Sequence, residues 1–392
     1  MSGQLQYCGI MTLASPLWIA ARARLAVRFL RNPVRYCRKV DRRALTFPDP
    51  MEGMMHLLVD NNGVKLHVAT HGLGTGKPLM LFLHGFPETW ASWRHQIQEF
   101  AGQYELVAMD MRGYGDSDAP KGVKNYTVDH LVTDVLSVLK AVGHSKCILV
   151  AHDWGGTVAW HVAALCPEVV EKLVVLCSPH PAAFKDPKRF DGEQLKRSSY
   201  MMTMLSSVAE AHIRNTDFRE VERMLVEAPF GARRTDTFSQ QDIDRVKAAL
   251  ARPGSLTGGL NYYRAAIAQG TKWRVEAAER VYSSPVVAPT LLMWADQDLA
   301  FLPQMFQGED KLVQQRTVVC LRDCSHWANQ DRPEQVNAHI RAFLEGGKPV
   351  LGRPASTSNR GSMIMVNVSA TAAAGGAASP RPGTPRLVPK QD

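Results

Sequence analysis

No aspartate or glutamate occurs in the first forty residues, no apolar run reaches bilayer length, and the seven cysteines show neither CxxC nor paired Cys/His spacing. Each absence excludes something. The spacing of Cys8, Cys37, Cys147, Cys166, Cys177, Cys320 and Cys324 gives no zinc site and no disulfide framework. Most of these cysteines sit in apolar runs, so they read as small buried residues in a reduced setting. The best apolar stretch, residues 9–21, is thirteen residues long, whereas a spanning helix needs about 20. Extending it to Leu30 brings in Arg22, Arg24 and Arg28, which are costly at mid-membrane. The acid-free, arginine-rich arm therefore fits a short signal-anchor, a basic helix lying on a membrane, or an organelle transit peptide.

Positive charge is also missing where a nucleic-acid groove would need it. The chain has 392 residues and a formal charge of +9. Residues 1–50 hold nine Lys/Arg against two acids, and residues 347–392 hold six against one, which leaves residues 51–346 mildly acidic at −3. The excess sits on the two ends, so the body excludes a basic nucleic-acid surface. Residues 347–392 are rich in Gly, Ala, Ser and Pro and read as a disordered tail. The sequons at Asn125 and Asn367 matter only in a secretory lumen.

What remains is a body in which apolar runs alternate with helical patterns. The runs at 79–85, 105–113, 147–156, 172–179, 289–298 and 316–326 read as buried parallel strands. MHLLVD and VKLHVAT form an antiparallel start to the sheet, and residues 128–143 and 157–167 have helical spacing. This pattern predicts an α/β fold with a mostly parallel sheet covered on both faces. The alternation stops over 181–283, a Met-rich helical stretch inserted as a lid between a first core half, 51–180, and a second, 284–346.

Four strands end in residues with chemical capacity, the place where open α/β sheets bind ligands. In AHDWGG, Asp153 sits between small residues that permit a sharp strand–turn–helix. Serine at that centre would suit ester hydrolysis. A carboxylate suits attack on an electrophilic sp³ carbon, giving an alkyl ester. HGFPE places the backbone N–H of Phe86 after a strand and, with that of Trp154, offers an oxyanion hole. WADQD supplies two candidate acids, Asp296 and Asp298, and DCSHW supplies His326. Tyr200 and Tyr263 lie on the helical stretch, where a phenol with a pKa near 10 can donate to a breaking C–O bond.

Together HGFPE, DMRGYGDSDAP, AHDWGG, WADQD and SHWANQDRPE resemble the soluble-type epoxide hydrolases of the α/β-hydrolase superfamily. The resemblance spans about residues 55–345, and LTGGLNYYR is most similar to the membrane-associated branch, epoxide hydrolases 3 and 4. It implies an eight-stranded, mostly parallel sheet with a helical lid. The family nucleophile falls on Asp153, its acid on Asp298, its histidine on His326 and its tyrosine pair on Tyr200 and Tyr263. It implies an epoxide as substrate, which the Met-rich lid and the basic arm suggest is lipophilic, a vicinal diol as product, no metal and no organic cofactor. With the basic arm, it also suggests membrane association, at the endoplasmic reticulum with a cytoplasmic catalytic domain, or else a mitochondrial or cytoplasmic location. Departures are Ala151 where relatives have Gly, Asp296 where they carry Gly-Glu, and a Met-rich lid near Tyr200. Two other readings stand beside this one. A haloalkane dehalogenase shares the nucleophile, but it uses Asn where this chain has Phe86. A non-catalytic ligand-binding member of the fold would keep the architecture and lose turnover.

Overall fold

The apolar runs form the middle of one sheet because their side chains alternate between two buried faces. The computed structural model of the protein describes residues 45–271, 276–308, 311–346 and 368–369. The strands are β1 (Met55–Asn61), β2 (Val64–His71), β3 (Leu79–Leu83), β4 (Glu105–Met109), β5 (Cys147–His152), β6 (Val170–Leu176), β7 (Thr290–Ala295), β8 (Gln315–Leu321) and β9 (Val368–Ser369). Leu79, Leu81, Leu83, Val107, Met109 and Leu149 enter the core on one face, and Met80, Phe82, Leu106, Ala108, Ile148 and Val150 enter it on the other. Burying each large side chain contributes roughly 1.5–3 kcal/mol, so both faces must be covered.

Strand order is β1-β2-β4-β3-β5-β6-β7-β8-β9. β1 and β2 are antiparallel, as is β2 with β4; β4, β3, β5, β6, β7 and β8 run parallel. This is the expected eight-stranded sheet. Val368–Ser369 adds a short ninth strand, antiparallel to Gln315 and Arg316. Those two residues belong to the stretch expected to be a disordered tail; its other residues, and the arm over 1–44, lie outside the described residues.

The covering helices follow the sequence pattern. Helix α1 is Arg94–Phe100, α2 is Val128–Ala141 and α3 is Asp153–Leu165. α2 starts after Thr127, carries Asp129 in its first turn and buries Leu131, Val132, Val135, Val138 and Leu139. α3 starts four residues earlier than the helical spacing from Thr157 predicts, because a single residue makes the turn out of β5. Between Gly192 and Arg280 lies a series of helices, among them α4 (Gln240–Ala251) and α5 (Ser255–Thr271). Ser239 and Asp242 form a capping box at the start of α4. No described helix is long and apolar enough to cross a membrane.

The last residues of the arm are tied to the body and to this helical insert. Arg245 of α4 donates to the Pro48 carbonyl at 2.6 Å and lies over the Phe47 ring at 5.1 Å. Asp49 pairs with His56 at 3.0 Å, His56 with His67 at 2.8 Å, and His67 with buried Asp110 at 2.8 Å. The boundary expected at residue 50 is thus crossed by packed contacts.

Candidate active site

The carboxyl ends of β3, β5, β7 and β8 open on the same side, each followed by a short turn. After β5 the chain reverses at Asp153, whose φ is +49°. That left-handed conformation is costly for a residue with a Cβ, so the surroundings must hold it. Gly155 does so by lacking a Cβ, which would stand 2.3 Å from the Leu83 carbonyl oxygen. Ala151, one residue before the end of β5, is fully buried, so the one-methyl departure from Gly is absorbed by the core.

Gly85 makes room for the Asp153 side chain itself, because a Cβ there would lie 2.3 Å from Asp153 Oδ1 and 2.4 Å from its Cβ. The next residue, Phe86, donates its backbone N–H to Asp153 Oδ1 at 2.9 Å. Gly85→Ala is therefore expected to displace the carboxylate. Turnover should fall by roughly 10²-fold and stability by about 1–3 kcal/mol. Wild-type kcat/KM in that variant would show that the contact does not hold Asp153.

Across the opening, His326 Nε2 stands 3.5 Å from Asp153 Oδ2, and its Nδ1 donates to Asp298 Oδ2 at 2.9 Å. Asp298 is fixed in turn, since its Oδ1 accepts the N–H groups of Ala300 at 2.7 Å and Phe301 at 3.2 Å. The alternative acid, Asp296, turns away. It accepts the Cys324 N–H at 3.2 Å and faces Arg322. The helical insert braces this acid loop, with Arg197 donating to the Asp298 carbonyl at 2.6 Å and Gln194 to the Ala300 carbonyl at 2.8 Å.

Charge follows from this geometry. Burial disfavours an imidazolium at His326, but the Asp298 and Asp153 carboxylates on either side outweigh it and push its pKa up to about 10. Burial likewise opposes ionisation of Asp153, yet His326, His152 and the Phe86 N–H hold its pKa below the usual carboxylate value. The resting arrangement is a cation between two carboxylates.

Tyr200 ends a short 3₁₀ turn, Ser198–Tyr200, and Tyr263 lies on α5. Burial and the charges of Asp153 and Asp298 raise the Tyr200 phenol; burial, Tyr200 and Asp153 raise that of Tyr263. Both stay protonated at neutral pH and lie within the field of Asp153. The Tyr263 ring meets Trp154 edge-on at 4.9 Å and Phe86 at 5.7 Å. All the residues singled out from the sequence except Asp296 converge on this opening.

Sequence reasoning missed a layer behind it. His152 Nδ1 bonds Glu88 Oε2 at 2.8 Å, while Nε2 bonds the His326 carbonyl at 2.8 Å. Gln330 donates to Glu88 Oε1 at 2.7 Å. Burial opposes the Glu88 charge, and His152 outweighs it to lower that carboxyl's pKa. The signal was present, since Glu88 closes HGFPE and His152 precedes Asp153, but nothing in the sequence says that they touch. His84, which opens HGFPE, accepts the Met111 N–H at 3.0 Å through Nε2, and its pKa is lowered mainly by burial.

Two trios of described residues bring possible metal ligands together, His152/Cys177/His326 and His67/Asp110/Asp116. In both, the histidine nitrogens already have partners: His152 and His326 as above, and His67 bonded to His56 and Asp110.

Comparison with known proteins agrees with the geometry. The family described as the alpha/beta hydrolase fold matches residues 78–333. Epoxide hydrolase 4 of Mus musculus is 34% identical over 348 residues, 86% of this chain and 92% of the relative. Epoxide hydrolase 3 of Xenopus tropicalis is 34% identical over 296 residues, 74% of this chain and 77% of the relative. Among solved structures, an epoxide hydrolase of Bacillus megaterium in complex with an inhibitor superposes with a TM-score of 0.65 at 31% identity, covering 74% of this chain and all of that one.

Proposed function

The chain belongs to the epoxide hydrolases of the α/β-hydrolase fold, and from that premise we propose that it opens lipophilic epoxides to vicinal diols through an ester of Asp153. The observation that carries the reading is a carboxylate, in place of a hydroxyl, at a strained elbow. Its Oδ1 is held by the Phe86 N–H at 2.9 Å and its Oδ2 faces His326 at 3.5 Å.

In the first step Oδ2 attacks an epoxide carbon and the C–O bond breaks. Tyr200 and Tyr263 hold the departing oxygen and pass it a proton, which His326 makes good through water. Forming the ester removes the Asp153 charge, one of the two that stabilise the imidazolium, so giving up this proton leaves His326 neutral and ready to act as a base. In the second step neutral His326, oriented by Asp298, takes a proton from water, and hydroxide adds to Cγ of the ester. The N–H groups of Phe86 and Trp154 hold the oxyanion. Collapse frees the alkoxide, which takes the proton of the regenerated carboxyl group and leaves as the diol. Asp153 is again a carboxylate and His326 again a cation. The chemistry calls on no metal or organic cofactor.

The Phe184–Phe301 aromatic pair beside His326 and the methionines near Tyr200 support an apolar substrate, fatty-acid epoxides included. The apolar residues 9–21 and the arginines that follow them support attachment of the arm to a membrane with the catalytic body on the cytoplasmic side. A panel of alkyl and aryl epoxides and matched haloalkanes, assayed for diol and for halide, tests the reaction. Diol is expected from the epoxides, with little or no halide. Halide release without diol formation would instead assign a dehalogenase, and tight binding without turnover a ligand-binding protein.

A further inference from the structure

The sequence GGLNYY places two pairs of residues four apart on α5, and such pairs stack on one helix face. Gly258 with Tyr262 makes one stripe, and Gly259 with Tyr263 makes the stripe beside it. The second stripe faces the reaction centre. A Cβ on Gly259 would lie 3.1 Å from the Phe86 ring and 3.1 Å from that of Tyr114, and Tyr263 packs on Phe86 and Trp154.

The first stripe faces the core loop that follows β4. A Cβ on Gly258 would stand 2.7 Å from both Cα and O of Gly113, so helix and loop meet backbone to backbone. One turn on, the buried Tyr262 hydroxyl donates to the Arg112 carbonyl at 2.9 Å. That carbonyl is itself fixed, because Arg112 makes a buried two-pronged bond to Asp134 at 2.7 and 2.6 Å, and Asn61 donates to the same carboxylate at 2.7 Å. The helix carrying Tyr263 is thus seated on a core loop held by a buried ion pair.

We propose that Gly258 and Tyr262 are positioning residues for Tyr263, acting through the seat of α5 on the core loop. This rests on the reading of Tyr263 as donor to the opening epoxide. The two stripes share ring neighbours, since Tyr262 also meets Trp154 edge-on at 5.8 Å and Tyr114 at 5.3 Å, but the Tyr262 hydroxyl is given to the Arg112 carbonyl alone. Removing that hydroxyl loosens the seat of α5 and keeps the ring contacts, so ester hydrolysis, which turns on His326 and Asp298, is expected to be unaffected.

Transient kinetics on the full chain, resolving ester formation from ester hydrolysis, tests this with styrene oxide as probe. Tyr262→Phe removes one hydroxyl and keeps the ring. It is expected to slow ester formation by roughly fivefold to twentyfold and to leave ester hydrolysis unchanged. Gly258→Ala, which forces two backbones apart, is expected to slow the same step by roughly 10²-fold. In a Tyr263→Phe background, Tyr262→Phe should slow ester formation no further. A wild-type rate of ester formation in Tyr262→Phe overturns the proposal, as does an equal slowing with Tyr263 already removed, or an equal slowing of both steps. Wild-type ester formation in Tyr263→Phe alone overturns the parent reading, and the proposal with it. Slowing in Tyr263→Phe without slowing in Tyr262→Phe overturns the positioning role alone. If Gly258→Ala does not fold, the tyrosine pair still decides.

Discussion

With enzyme in excess over epoxide and oxygen-18 water as solvent, the diol of the first turnover is expected to carry no label, and the label to appear in the side chain of Asp153. This outcome follows from which bonds break in the proposed mechanism. There, Oδ2 of Asp153 becomes the new oxygen on the substrate carbon, and water oxygen enters at Cγ to replace it. Attack of water directly on the epoxide would label the diol at once and leave Asp153 unlabelled. Asp153→Ala should lower turnover by roughly four orders of magnitude or more, since the nucleophile is deleted and no neighbouring carboxylate can substitute. Asp298 cannot take over, because its carboxylate is committed to His326 and to the N–H groups of Ala300 and Phe301. Full activity in Asp153→Ala, or label in the first diol, would remove the ester mechanism.

The second large effect concerns His326→Gln. Nucleophilic attack needs the Asp153 carboxylate and the tyrosines, whereas hydrolysis of the ester needs a base. In His326→Gln the ester should therefore form once and persist. Intact-mass spectrometry is expected to show each chain heavier by the mass of one epoxide, with steady turnover reduced by roughly 10³-fold or more. Steady turnover near the wild-type rate, with no adduct, would assign the base elsewhere.

The same substitution has a signature in stability. The pKa of His326 is raised in the folded protein to about 10, against about 6.5 in an unfolded chain. A raised value means that the fold binds the proton more tightly than the unfolded chain. This contribution is full below about pH 6.5 and is lost as pH climbs towards about 10. Asp153 has the opposite sign: its lowered value stabilises the fold above the ordinary carboxylate pKa, an effect lost as the medium turns acid. Melting curves of wild type and His326→Gln between pH 6 and 10 should therefore differ in slope, with the wild type falling more steeply as pH rises. Parallel curves would mean that His326 is not held as a cation between the two carboxylates.

Much of this arrangement was legible in the sequence because it is written locally. Continuous apolar runs mark strands buried on both faces, and small residues around Asp153 mark a turn too tight for anything larger. The order of Asp153, an acid of WADQD and His326, after β5, β7 and β8, follows from the same reading. The helical spacing from Thr157 did not show that α3 begins at Asp153, because spacing reports a buried face and the turn is made by one residue's φ. The choice between Asp296 and Asp298 was also beyond local pattern, since two acids two residues apart look alike until the loop's N–H groups select one.

Composition and order by themselves determined the α/β sheet, the helical insert, the charge confined to the two ends, and a carboxylate at the elbow. These rest on the period of apolar residues and on local sterics, which neighbours along the chain suffice to express. Tertiary structure alone decided which groups face one another. It brought Glu88, His152 and Gln330 together from three distant segments, set His326 as a cation between two carboxylates, and pressed Gly258 against Gly113. Such contacts tolerate shifts of only a few tenths of an ångström between elements far apart in sequence, and only close packing of the whole chain fixes those.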